Sequence, residues 1–157
     1  MSKTAIVYYS YSNNTKRIAE MLQGKTAGDL YRIEPVTPYT RDYDAVVEQA
    51  KEEVESGFQP QLQSLNIPLE QYDTIVIGTP VWWYTMAPPV ASFLSQGDFR
   101  GKKILPYATN AGWLGHTLAD IKKLCLGSQV AEGMNIEFSE DTLKTAVEDI
   151  ENWIANA

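Results

Sequence analysis

Three short stretches hold the residue types that could do chemistry. Ser10-Tyr11-Ser12-Asn13-Asn14-Thr15 places aliphatic hydroxyls and amides at five of six positions. At a helix start, such side chains and free backbone N–H groups make an anion site suited to a phosphate. Capping the helix would need only one of them. Thr79-Pro80-Val81-Trp82-Trp83-Tyr84 sets three aromatics in a row, and three consecutive side chains cannot all point inward. At least one meets solvent or a flat ligand, where ring stacking adds on the order of 0.5–1.5 kcal/mol beyond area burial. Thr109-Asn110-Ala111-Gly112-Trp113-Leu114-Gly115 supplies another indole, with glycines that let backbone approach a ligand closely.

The first stretch is also informative for what it lacks. It holds no Gly-x-Gly-x-x-Gly and no Gly-Lys-Ser/Thr, so it offers neither a dinucleotide fingerprint nor a triphosphate cradle. A receiver domain needs acidic residues at the end of its first strand, and Tyr8, Tyr9 and Ser10 occupy that place. A monophosphate with no obligatory metal is what remains. One histidine, His116, and one cysteine, Cys125, make a poor zinc site. His116 reads as a helix-end residue and Cys125 as core beside Leu118, Ile121 and Leu124.

The elements that must position these stretches alternate along the chain. Thr4 to Tyr9 is an apolar run fit for a strand covered on both faces. A helix is expected from about Thr15, with Ile18, Ala19 and Leu22 on one face. Asp29 to Glu34 forms a weaker strand closed by Pro35. Tyr43 to Ser56 has helical spacing at Val46, Val47, Ala50 and Val54, and Gly57 stops it. Residues 58–72 read as a loop packed on the body. Thr74 to Gly78 is the clearest buried strand and leads into the second stretch as a loop. Then come a helix near Val90 to Leu94, a strand over Lys103 to Ala108 and the third stretch as a loop. A helix near Thr117 to Cys125, a strand over Val130 to Phe138 and a closing helix follow. The closing helix aligns Leu143, Ala146, Val147, Ile150, Trp153 and Ile154 on one stripe.

Strand and helix repeated five times imply one α/β domain over residues 1–157, a doubly wound five-stranded parallel sheet in the order 2-1-3-4-5 with helices on both faces. Ligands of such sheets bind outside the carboxyl ends of the strands, near the reversal between strands one and three. The three stretches follow strands one, three and four, so they converge there. Two aromatic loops facing each other would sandwich a planar heterocycle. A phosphate at one end and a planar ring at the other describe FMN.

The chain has 157 residues, with 20 acidic against 13 basic side chains and a net charge of −7. Nucleic-acid backbones demand clustered Lys and Arg, so no nucleic-acid partner is expected. The runs Glu48, Glu52, Glu53, Glu55 and Glu137, Glu140, Asp141, Glu148, Asp149, Glu151 read as solvated faces. No segment approaches a membrane span, and Met1-Ser2-Lys3 leads straight into an apolar run without the pattern of a signal peptide. The expected setting is cytoplasmic, with no membrane partner.

These residues resemble the flavodoxin family, and closely its short-chain bacterial members. Ser10-x-Ser12-Asn13-Asn14-Thr15 is similar to the family's phosphate loop, Thr79-Pro80-Val81-Trp82-Trp83 to its second flavin loop and Thr109 to Gly115 to its third. The likeness covers essentially the whole chain. It implies that Ser10, Ser12, Asn13, Asn14 and Thr15 bind the phosphate, and that Thr79, Pro80, Val81, Trp82 and Trp83 meet the isoalloxazine or ribityl. Thr109, Asn110, Gly112, Trp113 and Gly115 would take the opposite side. Two positions depart from the pattern. Asn13 stands where the family commonly has Gly, and Asn tolerates the left-handed conformation. Tyr84 stands where relatives often have Gly, which permits a peptide flip towards reduced flavin N5.

The resemblance implies an electron carrier that works between a reductase and an acceptor enzyme, as a monomer and with no catalytic residue of its own. FMN supplies the redox chemistry and the protein tunes it. A carboxylate roughly 10 Å from an anionic reduced flavin disfavours it by on the order of 1–2 kcal/mol before screening, several tens of millivolts. The alternative is an FMN-dependent NAD(P)H reductase of a quinone, flavin or azo compound. Such an enzyme would need a second basic pocket, for which Lys16, Arg17 and Arg41 are the candidates.

Overall fold

The structure, a computed structural model, describes residues 3–157. Met1 and Ser2, on which the expectation of no signal peptide partly rests, lie outside the described residues. Strand β1 (Thr4–Tyr8) has four of its five residues buried because helices cover both of its faces. After it come α1 (Asn14–Thr26), β2 (Asp29–Arg32), α2 (Tyr43–Ser56), β3 (Thr74–Trp82), β4 (Thr85–Met86) and α3 (Pro88–Gln96). The chain continues through β5 (Lys103–Asn110), α4 (Thr117–Leu124), β6 (Gln129–Val130), β7 (Met134–Ser139), β8 (Thr142–Leu143) and α5 (Val147–Ala155).

The sheet runs β2-β1-β3-β5-β7-β8, with β4 on β3 and β6 on β5. Its parallel body, β2-β1-β3-β5-β7, keeps the expected succession and the reversal beside β1. The expectation of five strands, all parallel, is corrected: there are eight among the described residues, and β3–β4 and β7–β8 pair antiparallel. One cause is that β3 continues past Gly78 to Trp82 and folds back on itself as a hairpin. The strand expected over Val130 to Phe138 splits into β6 and β7, and the break falls opposite Pro106, which has no backbone N–H to donate.

Two apolar clusters flank the sheet. Ile18, Leu22 and Ile150 of α1 and α5 close on Ile6, Val76 and Leu105 on one face. Val46, Val90, Phe93 and Ile121 of α2, α3 and α4 close on Val7, Ile75 and Ile104 on the other. Helix α2 matches its expected range because both ends are specified locally. The Asp42 side chain accepts from Ala45 N at 3.4 Å, and Gly57 ends the helix at φ +71°.

The closing stripe is partly corrected. Leu143 packs on the core from β8 rather than from the helix, Val147 at the start of α5 is exposed, and Ile150, Trp153 and Ile154 carry the helix's packing. The loop over residues 58–72 does pack on the body, through Leu62, Ile67 and Leu69 and a bridge from Pro35 to Leu62. Glu53 leaves the solvated face assigned to it. It is 9% exposed, accepting from Tyr39 Oη at 2.6 Å and from Gln49 Nε2 at 2.8 Å.

Candidate functional site

The carboxyl ends of β1, β3 and β5 open onto a cleft of about 520 Å³. That volume falls within the roughly 300–1,000 Å³ usual for small-molecule sites. Pro80, Val81, Trp82 and Trp83 form one wall and Thr109, Asn110 and Ala111 another. Val46, Val47 and Ala50 of α2 and Phe138 of β7 close it. The cleft continues into an open recess of about 600 Å³ over the first turn of α1, lined by Asn13, Arg32, Arg41 and Asp141. Tyr11, Ser12, Asn14 and Glu140 line both spaces and join them.

Residues expected to hold the phosphate are brought together, but most of their side chains are occupied. Ser10 is buried; its Oγ accepts from Lys16 N at 3.2 Å and donates to the Ser12 carbonyl. Thr15 Oγ1 meets Thr109 Oγ1 at 2.7 Å, and Asn14 Nδ2 donates to the Glu140 carbonyl at 2.8 Å. Ser12 Oγ accepts from Asn14 N at 3.4 Å. Asn13 makes no capping bond through its side chain. It sits at φ −87°, so this position needs no left-handed residue, and the expectation that Asn is there for that conformation is corrected. The amides of Ser12, Asn13 and Thr15 have no partner among the described residues. Free N–H groups at a helix start are what an anion takes.

The second stretch is strand rather than loop as far as Trp82. Trp82 is wedged edge-on among Tyr9, Tyr11 and Tyr39, with ring centroids 5.8, 5.8 and 5.0 Å away. Burial raises the Tyr39 hydroxyl pKa, and so does its bond to Glu53. Trp83 and Tyr84 make the hairpin turn with φ of +51° and +69°. Two positive values are the pattern of a two-residue turn whose twist matches antiparallel strands. They cost about 1–2 kcal/mol each for residues other than Gly, Asn or Asp. Several contacts offset that strain. Trp83 Nε1 donates to the Val47 carbonyl at 3.0 Å, and Lys51 Nζ stands 5.5 Å over its ring. His116 N donates to the Tyr84 carbonyl at 2.8 Å, and Thr85 Oγ1 donates to Asp120 Oδ2 at 2.6 Å. Tyr84 thus adopts a glycine-like backbone. Thr79 is fully buried and ties the hairpin base, accepting from Ala87 N at 3.0 Å.

The expected sandwich between two aromatic loops does not form. Asn110 Oδ1 accepts from Gly112 N at 2.9 Å, and Gly112 at φ +122° turns the chain outward. Trp113 is 70% exposed, and Gly112, Trp113 and Gly115 are off the cleft wall. The cleft side of this stretch is Thr109 to Ala111. Gly115 instead packs beneath Tyr84 and fixes the hairpin.

Arg32 has no assigned role in the sequence, and Arg41 and Glu140, read there as a nicotinamide-pocket candidate and part of a solvated face, stand on the walls instead. Arg32 ends β2, Arg41 precedes α2, and Glu140 turns the β7–β8 hairpin at φ +54°. None lies in a motif, so only the fold could gather them. Of the candidates for a nicotinamide pocket, Arg17 and Arg41 are held on different segments. Arg17 reaches the Asp141 carbonyl at 3.4 Å beside Phe138, while Arg41 Nη1 donates to the Tyr11 carbonyl at 2.6 Å. Gly24-Lys25-Thr26, a Gly-Lys-Thr elsewhere in the chain, closes α1 rather than opening a helix, so it cannot act as a phosphate cradle.

A doubly wound α/β sheet with a cleft at the carboxyl ends of β1, β3 and β5 defines a ligand-binding protein of the nucleotide-binding architecture. A family model described as Flavodoxin matches residues 3–154, and the chain belongs to the flavodoxin family. Among solved structures it is similar to a candidate flavoprotein from Bacteroides eggerthii, with 27% identity and a TM-score of 0.84 over 99% of this chain and 98% of that one. A flavoprotein from Lactobacillus acidophilus, solved in complex with FMN, is 26% identical with a TM-score of 0.76, over 86% of this chain and 93% of that one. Oxidised Flavodoxin 2 from Bacillus cereus, at 20% identity and a TM-score of 0.58 over 99% and 94%, shares the fold. A comparison with curated proteins found no match. Among the described residues, no helix is long and apolar enough to cross a membrane.

Proposed function

We propose that this protein binds FMN and carries electrons in the cytoplasm between a reductase and an acceptor enzyme. The observation that carries the reading is the joined pair of spaces: an aromatic cleft and an anion-suited helix start that share four lining residues. One elongated ligand with a planar ring and a terminal phosphate fits both. The complex of the Lactobacillus acidophilus protein with FMN supports the same ligand.

Bound FMN would supply the redox chemistry. Ser12, Asn13 and Thr15 would offer their free amides to the phosphate. Trp82, Trp83 and Pro80 would lie along the ring on one side, with Thr109 to Ala111 on the other, excluding water from it. Exposed aromatics at Tyr43, Trp83, Tyr84 and Trp113 leave an apolar rim where another protein can approach. Arg41 lines the phosphate recess and Arg17 holds the Asp141 carbonyl, so these two do not gather into a second basic pocket, which favours the carrier over the NAD(P)H reductase.

Stepwise anaerobic reduction of the FMN-loaded protein tests this reading. A long-wavelength absorbance band that rises and then falls midway supports one-electron traffic. Rapid oxidation of NADH or NADPH with a quinone, and no such band, would move the protein to the reductase class.

A further inference from the structure

We propose that Arg32 and Arg41 make the recess a site for a phosphate dianion, so that the protein selects phosphorylated flavin over riboflavin by charge. The inference rests on the FMN reading above and adds two residues from outside the family's loops.

Both guanidiniums converge on adjacent carbonyls of the first loop. Arg32 Nη2 donates to the Ser10 carbonyl at 3.0 Å, and Arg41 Nη1 donates to the Tyr11 carbonyl at 2.6 Å. Arg41 also lies over the Tyr11 ring, 4.8 Å from its centroid. Both side chains line the recess beside Ser12 and Asn13. A guanidinium has five N–H donors in a rigid fork, so each retains donors after these contacts. Arg32 Nε is buried without a hydrogen-bond partner. Glu34 Oε1 is 2.6 Å from it, close enough to pair as a charge but out of line with the N–H. Among the described residues, Arg41 has no carboxylate within ion-pair distance, and neither arginine pairs with Glu140 or Asp141 across the recess.

Glu34 is a counter-charge for Arg32 but Arg41 has none among the described residues, and a dianion in the recess would supply it. Charged hydrogen bonds from a guanidinium to phosphate are roughly twice as strong as neutral ones. In a chain of net charge −7 with Glu140 and Asp141 on the recess wall, neutral hydroxyls and amides alone would leave the phosphate facing a negative field. The arginines offset it.

The test is a titration of apoprotein with FMN and with riboflavin, read by quenching of flavin fluorescence. It is run on wild type, Arg41→Gln, Arg41→Lys and Arg32→Gln. Wild type is expected to prefer FMN. Arg41→Gln is expected to lose tenfold or more in FMN affinity while riboflavin changes less than twofold, and Arg41→Lys to recover part of the loss. Retained riboflavin binding shows that a variant is folded; if Arg32→Gln loses its loop and binds neither flavin, Arg41→Gln decides alone. Equal losses for both flavins, or unchanged FMN affinity, overturn the proposal and leave the FMN reading standing. Wild type that binds neither flavin overturns both.

Discussion

Gly115 lies so close beneath Tyr84 that a β-carbon on it would stand 2.3 Å from the Tyr84 carbonyl oxygen. This contact joins the third stretch to the turn of the second, and Gly115 holds φ +61° to make it. Gly115→Ala therefore meets both a backbone clash and a left-handed penalty, together roughly 2–4 kcal/mol. Calorimetry should show the melting temperature fall by about 5–15 °C, with flavin affinity falling as the hairpin shifts. An unchanged melting temperature would mean that the two segments are not in contact.

Tyr84→Gly should act in the opposite sense. Tyr84 is 54% exposed and sits at φ +69°, so glycine removes strain while losing little packing. A gain of about 1 kcal/mol is expected, or a rise of roughly 2–4 °C. A fall instead would show that the phenol contributes packing worth more than the strain.

The two tryptophans should separate. Trp82 stands among three aromatic rings, so Trp82→Ala leaves a cavity and costs about 3 kcal/mol or more. Trp83→Ala loses one hydrogen bond, to the Val47 carbonyl, and costs about 1 kcal/mol. Both should weaken flavin binding, unequally. If neither changes it, the second stretch is not a cleft wall for flavin.

Alkaline stability has a readable sign. Burial raises the Cys125 thiol from 9.0 to about 11, so the folded state favours the neutral form. Its contribution is full below pH 9 and is lost as pH rises from 9 towards 11, up to about 2–3 kcal/mol. Urea unfolding between pH 8 and 10 should show wild type weakening and Cys125→Ala weakening less. Parallel curves would place the thiol in water. Above pH 10 the buried hydroxyls of Tyr9, Tyr39 and Tyr107, raised by desolvation, weaken both proteins.

What the sequence made legible follows from how local each signal is. Helix α2 could be read to its ends because its apolar spacing and the Gly57 stop act within a few residues. The parallel body of the sheet could be read from β-rich runs buried on both faces, such as Ile75 to Ile77. The β3 extension to Trp82 could not, since its partner is a two-residue strand with no pattern of its own. Two-residue β6 and β8 were hidden for the same reason. Tyr107 shows the limit for the site. Its hydroxyl donates to the Thr15 carbonyl at 3.0 Å across Gly78, where any β-carbon would meet its ring at 2.3 Å. Three residues from three elements make that one support for the first turn of α1. Arg32, Arg41 and Glu140 likewise reach the recess only through the fold.

The most direct measurement is a fluorescence titration of the apoprotein with FMN. Quenching that saturates at one equivalent, together with a shifted visible spectrum on the protein, is the predicted result. Flavin that stays fully fluorescent and passes through gel filtration apart from the protein would contradict the central claim.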